Sequence, residues 1–129
     1  MAELSISHYL IWTAGVLHML LVVLHLYFPR LLHWEKYLPQ IDKMNRSVYL
    51  TIHWMLILWL GSSGLVLLFG ADILLSETSG MFLLALVGLQ WVLRLIFQWV
   101  FFHPWRGEEK WLTIGFVLLI VCSTVPIVL

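Results

Sequence analysis

Arg94 stands inside the long apolar segment 83–102, and the other apolar segments contain no carboxylate to meet it. A guanidinium stays charged in any protein environment, and leaving one unpaired in hydrocarbon costs at least several kcal/mol. Gln90 and Gln98 flank it at i−4 and i+4, so the three side chains form one polar ridge on one helix face. Histidines occur on two other apolar segments. His18 and His25 are seven residues apart and share nearly one face, about 10 Å apart along the axis. Ala14 and Gly15 lie one turn before His18 and thin that face. His53 opens the second segment, and Gly64, eleven residues on, falls at almost the same angle with Gly61 close by. Two faces that join histidine to small residues could border one slot for a flat cofactor, or pack directly on each other.

Imidazole nitrogens at matched depth are the usual axial ligands of a b-type haem, and the haem propionates are carboxylates of the kind Arg94 lacks. His18, His25 and His53 are therefore the candidate haem iron ligands, paired as His25 with His53 or as His18 with His53. Arg94, Gln90 and Gln98 are the candidate cofactor-binding residues. A quinone pocket fits the same residues, because quinone carbonyls accept hydrogen bonds from His, Gln and Arg, and Trp59 and Trp91 could pack the ring. The alternatives are equally concrete. Each histidine could bond only a neighbouring helix, the glycines could serve close packing alone, and the ridge could meet another subunit. Arg94 could also snorkel toward lipid phosphates. His8, His33 and His103 read as interfacial polar anchors. Copper or zinc is disfavoured, because Met19, Met44, Met55 and Met81 are scattered and no carboxylate joins the histidines. A proton relay would ordinarily need an intramembrane Asp or Glu.

The elements that must position these groups are plain from composition. The chain has 129 residues, 62% hydrophobic and 11% charged, which excludes an ordinary soluble domain. Four apolar runs, 8–28, 48–70, 80–102 and 111–129, each reach the roughly 20 residues needed to cross a bilayer. The expected fold is an all-α integral membrane bundle of four transmembrane helices forming a single domain, 1–129, with an interfacial segment over 30–46. The residues ahead of the first run lack a basic stretch and a small-residue cleavage pattern, so that run reads as a retained helix. After Pro29 a short interfacial helix is expected, broken at Pro39, with Ser47 capping the second long helix. Short connections make successive helices antiparallel neighbours. The stretch from His103 to Gly107 reads as a turn, and Glu108 and Glu109 suit the start of the last helix.

Arg30, Lys36, Lys43 and Arg46 lie between the first two runs, and Arg106 and Lys110 between the last two. The N-terminus and the 71–79 loop contain only acidic charges, Glu3, Asp72 and Glu77. The positive-inside rule then places both basic loops in the cytoplasm and both termini outside. On that topology His25 and His53 are shallow, while His18 and Arg94 lie deeper. Trp34, Trp54, Trp99, Trp105 and Trp111 gather at the cytoplasmic boundary as an aromatic belt. The basic residues are interleaved with Glu35, Asp42, Glu108 and Glu109, which argues against a nucleic-acid surface. The single Cys122 excludes an intrachain disulfide and thiol-pair metal ligation, and reads as a small packing residue.

One stretch resembles a known pattern. Tyr27-Phe28-Pro29-Arg30-Leu31, then Met44-Asn45-Arg46-Ser47-Val48-Tyr49 and Gly64, are similar to motifs of the four-helix membrane protoporphyrinogen oxidases of the HemJ type, in the broader copper-resistance D superfamily. In that family a Tyr-x-Pro-Arg-Leu segment ends the first helix and a Met-x-Arg-x-x-Tyr segment leads into the second. The resemblance covers residues 14–68. The family's first-helix histidine would fall near Ala14, one turn from His18, and its third-helix lysine and following histidine have no match in 80–103, so its ligand set does not carry over. The resemblance implies a related bundle with a porphyrin-binding habit. The functional expectation is a small haem b-binding membrane protein handling electrons or quinol, as a subunit of a respiratory complex. The alternatives are a cofactor-free accessory subunit and a porphyrin-handling membrane oxidoreductase. Expected partners are the lipid bilayer and another membrane protein or a second copy, and not nucleic acid.

Overall fold

A computed structural model describes residues 5–102, 107 and 109–129. Among them 92% are helical and none is in a strand. The long helices are α1 (Ile6–Leu31), α3 (Lys43–Phe69), α5 (Thr78–Phe101) and α6 (Glu109–Val128), with short helices α2 (Trp34–Tyr37) and α4 (Ala71–Ser76) between them. All four long helices are long and apolar enough to cross a membrane. Their outer faces are covered with large exposed apolar side chains such as Leu20, Leu58, Phe82 and Val100. Only a narrow stripe on each faces its neighbours, as expected where the surroundings are as apolar as the core.

The helices extend beyond the apolar runs because local chemistry, and not hydropathy, ends them. Helix α1 starts with a reciprocal cap in which His8 Nδ1 accepts from the Ser5 backbone N–H (3.3 Å) and Ser5 Oγ (2.8 Å). It then runs through Pro29 to Leu31 instead of stopping at the proline. A proline inside a helix removes one N–H, so the carbonyl four residues back, that of His25, loses its helical donor. His33, in the left-handed region at φ 50°, turns the chain into α2. Pro39 lies at the start of a 3₁₀ turn, Leu38–Gln40, so it begins an element where a break was expected. Helix α3 is capped by Asp42, whose Oδ1 accepts from the N–H groups of Met44 (3.0 Å) and Asn45 (3.1 Å). Ser47 is therefore not the cap. It lies a turn inside and donates to the Lys43 carbonyl (2.9 Å). The 71–79 connection contains α4, whose Asp72 accepts from His8 Nε2 (3.0 Å) and ties this end of the bundle to α1. Of the expected 103–107 turn, Gly107 has the positive φ of 55° that suits it, and residues 103–106 and 108 lie outside the described residues.

Helix α1 packs on α3 and α6, and α5 packs on α6 and on the short α4. Helices α3 and α5 are not packed along their length, so the four long helices form an arc that is closed on three sides and open on the fourth. The α1–α3 contact is made by small residues. A Cβ on Gly64 would fall 2.4 Å from Met19 Cε and 3.0 Å from His18 Cβ, and one on Gly15 would fall 3.1 Å from the Gly64 carbonyl oxygen. The faces expected to border a cofactor slot therefore pack directly on each other at that level. The core at the centre of the arc is Ile11, Ala14, Leu60, Leu84, Trp91, Phe116 and Leu119.

Candidate functional site

The ends of the long helices that adjoin Arg30, Lys43 and Lys110 form one basic end of the bundle, and His25, His53, Arg94 and Gln98 lie in the half nearest it. His18 and His25 share the inward face of α1, as their spacing required. Each is held by its own helix. His18 Nδ1–H donates to the Ala14 carbonyl (2.8 Å), and His25 Nδ1–H donates to the Leu21 carbonyl (2.7 Å). A carbonyl can only accept, so the neutral form of each ring keeps its lone pair on Nε2. His18 is fully buried, and its Nε2 has no hydrogen-bond partner.

The α1–α3 register decides which histidines can act together. His53 lies level with His25, with ring centroids 6.1 Å apart, while His18, two turns away on α1, meets α3 between Trp59 and Gly64. Of the two expected pairings, only His25 with His53 is therefore brought together; His18 and His53 are separated by about two turns. Pro29 leaves the His25 carbonyl, near the same level, without its helical donor. Trp34 closes over the His53 ring at 4.6 Å and is itself buried, so this tryptophan acts as a lid on His53.

Arg94 lies between the levels of His18 and His25. Three residues before it, Trp91 meets the His18 ring edge-on at 5.3 Å. Among the described residues no carboxylate pairs with Arg94. Its charge is instead spread over neutral partners. Nη1 donates to Gln98 Oε1 (2.9 Å), and the guanidinium lies over the ring faces of Phe116 at 4.6 Å and Phe102 at 5.6 Å. Such cation–π contacts contribute about 2 kcal/mol where water is excluded. The polar ridge is thereby divided: Gln98 is buried as the acceptor for Arg94, while Gln90 faces open space. Phe102 lies just past the end of α5, and its spacing from Arg94 gave no signal of the contact. Phe116, on α6, had no signal in the sequence, because the long-range contact depends on the helix packing.

His25, Arg94 and Gln90 line one cavity of about 100 Å³, walled by Trp59, Trp91 and Phe116. A cavity of about 150 Å³ holds one benzene ring, and typical small-molecule pockets occupy about 300–1,000 Å³. The space is somewhat smaller than the one that holds benzene, so a single ring would seat with a modest outward shift of its walls. The donor chemistry suits a haem, since imidazoles anchored through Nδ1 present Nε2 to a metal and a guanidinium suits a propionate. The room does not, because a macrocycle would have to part helices that pack closely at Gly15 and Gly64. As folded, these residues fit a single-ring head with hydrogen-bonding oxygens better than a porphyrin.

A second, larger space of about 480 Å³ opens between α3 and α5 and is lined by Trp59, Ser62, Ser63, Leu83, Val87 and Gln90, among others. Trp59 and Gln90 belong to both spaces. A third hollow of about 180 Å³, between α1 and α6, shares Leu21, Leu24, Leu112 and Phe116 with the inner cavity.

No family model, curated protein or solved structure matches the chain. Of the residues of the motif resemblance, 27–31 end α1 and 44–49 form the first turns of α3, while Gly64 lies further along α3 against His18.

Proposed function

We propose that the chain is a four-span integral membrane protein, with both basic loops in the cytoplasm and both termini outside, that binds a quinone or quinol headgroup in the cavity between α1 and α5. The observation that carries this reading is the meeting of His25, Arg94 and Gln90 in one small, aromatic-walled cavity. A quinone carbonyl accepts from the Arg94 guanidinium. A quinol hydroxyl donates to His25 Nε2, whose proton is held on Nδ1 by the Leu21 carbonyl. Gln90 can serve either redox state, since an amide both donates and accepts. In this reading the protein contributes quinone handling to a membrane complex that contains the electron-transfer partner.

The test is titration of the protein in lipid nanodiscs with a benzoquinone, read by quenching of its tryptophan fluorescence. Arg94→Leu and His25→Ala should each weaken binding by about tenfold, which corresponds to about 1.4 kcal/mol. Binding that is unchanged in both variants would overturn the assignment. A second reading keeps haem b, with His18, His25 and His53 as ligand candidates, and has the bare Nε2 atoms in its favour. A Soret band in the purified protein that shifts on dithionite reduction, and is lost in His25→Ala, would favour haem over quinone. It would also revive the porphyrin-handling alternative. Neither quenching nor a Soret band would leave a cofactor-free accessory subunit, in which Arg94 serves packing on Phe116.

A further inference from the structure

We infer that the ligand of the His25–Arg94 cavity has a long hydrocarbon tail, and that the tail leaves through the groove between α3 and α5. This rests on the headgroup reading and adds to it the class of ligand and its route. A head enclosed between α1 and α5 must pass any tail outward between two helices. The α1–α3 seam is shut by glycine packing, where even a Cβ on Gly64 would meet Met19 and His18. The α5–α6 seam is likewise tight, since a Cβ on Gly88 would fall 2.6 Å from Thr124 Cγ2. Two exits remain, the α3–α5 groove and the α1–α6 hollow.

Size and chemistry separate them. The α3–α5 groove is about 480 Å³ against about 180 Å³ for the α1–α6 hollow. It also meets the inner cavity at Gln90 and Trp59, an amide and an indole suited to the junction between a polar head and an apolar chain. Beyond that junction the wall is mainly aliphatic, with Val66, Leu83, Leu86 and Val87. Since hydrocarbon gains little by leaving lipid for protein, the groove works by shape: it lets a tailed molecule seat its head without parting the helices. Trp59 and Gln90 then form the passage through which the head enters from the bilayer.

The experiment compares two probes in nanodiscs, a dimethoxy-methyl-benzoquinone without a side chain and the same ring bearing a decyl chain. Val87→Phe and Ser62→Phe narrow the α3–α5 groove. Ser62 is exposed and its hydroxyl bonds only its own helix at the Trp59 carbonyl (3.1 Å), so its replacement spares the fold. Gly115→Phe fills the α1–α6 hollow, where a Cβ meets nothing within 4 Å. The expected result is about tenfold weaker binding of the decyl probe in the two groove variants, with the tailless probe unchanged in both. Gly115→Phe should alter neither probe. Loss of decyl binding in Gly115→Phe alone, or equal loss of both probes in the groove variants, would overturn the inference while leaving the headgroup site standing. Failure of the tailless probe to bind, or decyl binding that ignores Arg94→Leu, would overturn the headgroup reading and this inference with it.

Discussion

Arg94 shows how a membrane-depth charge can be accommodated without an opposite charge. Its guanidinium is stabilised by one amide oxygen and by aromatic faces, chiefly Phe116 at 4.6 Å, while its remaining N–H groups are available to a ligand. Phe116→Leu should therefore lower thermal stability by about 1–2 kcal/mol beyond what Leu119→Ile loses through packing, read by circular dichroism melts in detergent. Equal losses would remove the cation–π assignment. At the edge of the bundle, Asp42 holds its carboxyl below the usual carboxylate range, because the backbone and side-chain N–H groups of Asn45, then the N–H of Met44, donate to its charged form. A carboxyl depressed in the folded state stabilises above its unfolded pKa of about 3.9 and loses that contribution as pH falls through its folded value. Wild type should accordingly lose more of its melting temperature below about pH 4 than Asp42→Ala does. Identical pH profiles would exclude the cap as a source of acid sensitivity. Arg94 and its two glutamines could be found from spacing alone. Phe116 and the lid role of Trp34 could not, because each depends on which helix lies opposite.

At the scale of elements, glycines with the same sequence appearance have opposite roles. Gly64 is pressed between Met19, His18 and the Gly15 carbonyl, whereas Gly115 faces open space. Gly64→Ala should destabilise the bundle by about 1–3 kcal/mol through forced separation of α1 and α3. Gly115→Ala should be neutral or stabilising by up to about 1 kcal/mol from helix propensity. Melts of the two variants in one detergent check the pair, and a larger loss in Gly115→Ala would refute the assigned packing. Pro29 makes a related point. It reads as a helix end, yet α1 continues through it, since only the one bond to the His25 carbonyl is lost. The helix bounds differ from the hydropathy bounds because Asp42 and the Ser5–His8 pair cap the helices before the apolar runs begin.

For the whole molecule, an arc of four helices with one open side sets a small inner cavity beside a larger groove between α3 and α5, the two sharing Trp59 and Gln90. With the proposed topology, single cysteines introduced at Ser79 and at Lys36 in a Cys122→Ala background should label from opposite sides of sealed vesicles. Labelling of both from one side would overturn the four-span arrangement. Hydropathy and composition alone determined that there are four long apolar helices, because burying so much hydrocarbon in water is untenable and each run is of bilayer length. Helical periodicity determined that His18 and His25 share a face and that Gln90, Arg94 and Gln98 form a ridge. Rotation of each helix about its axis was undetermined, since a span that is apolar all round has no amphipathic face to orient it. Close packing of glycines settled that rotation and the register between helices. It placed His25 beside His53, moved the small-residue faces from a slot to a seam, and set Arg94 against an aromatic ring. Those outcomes depend on steric fit between distant segments, a property of the folded surfaces that no single stretch of sequence contains.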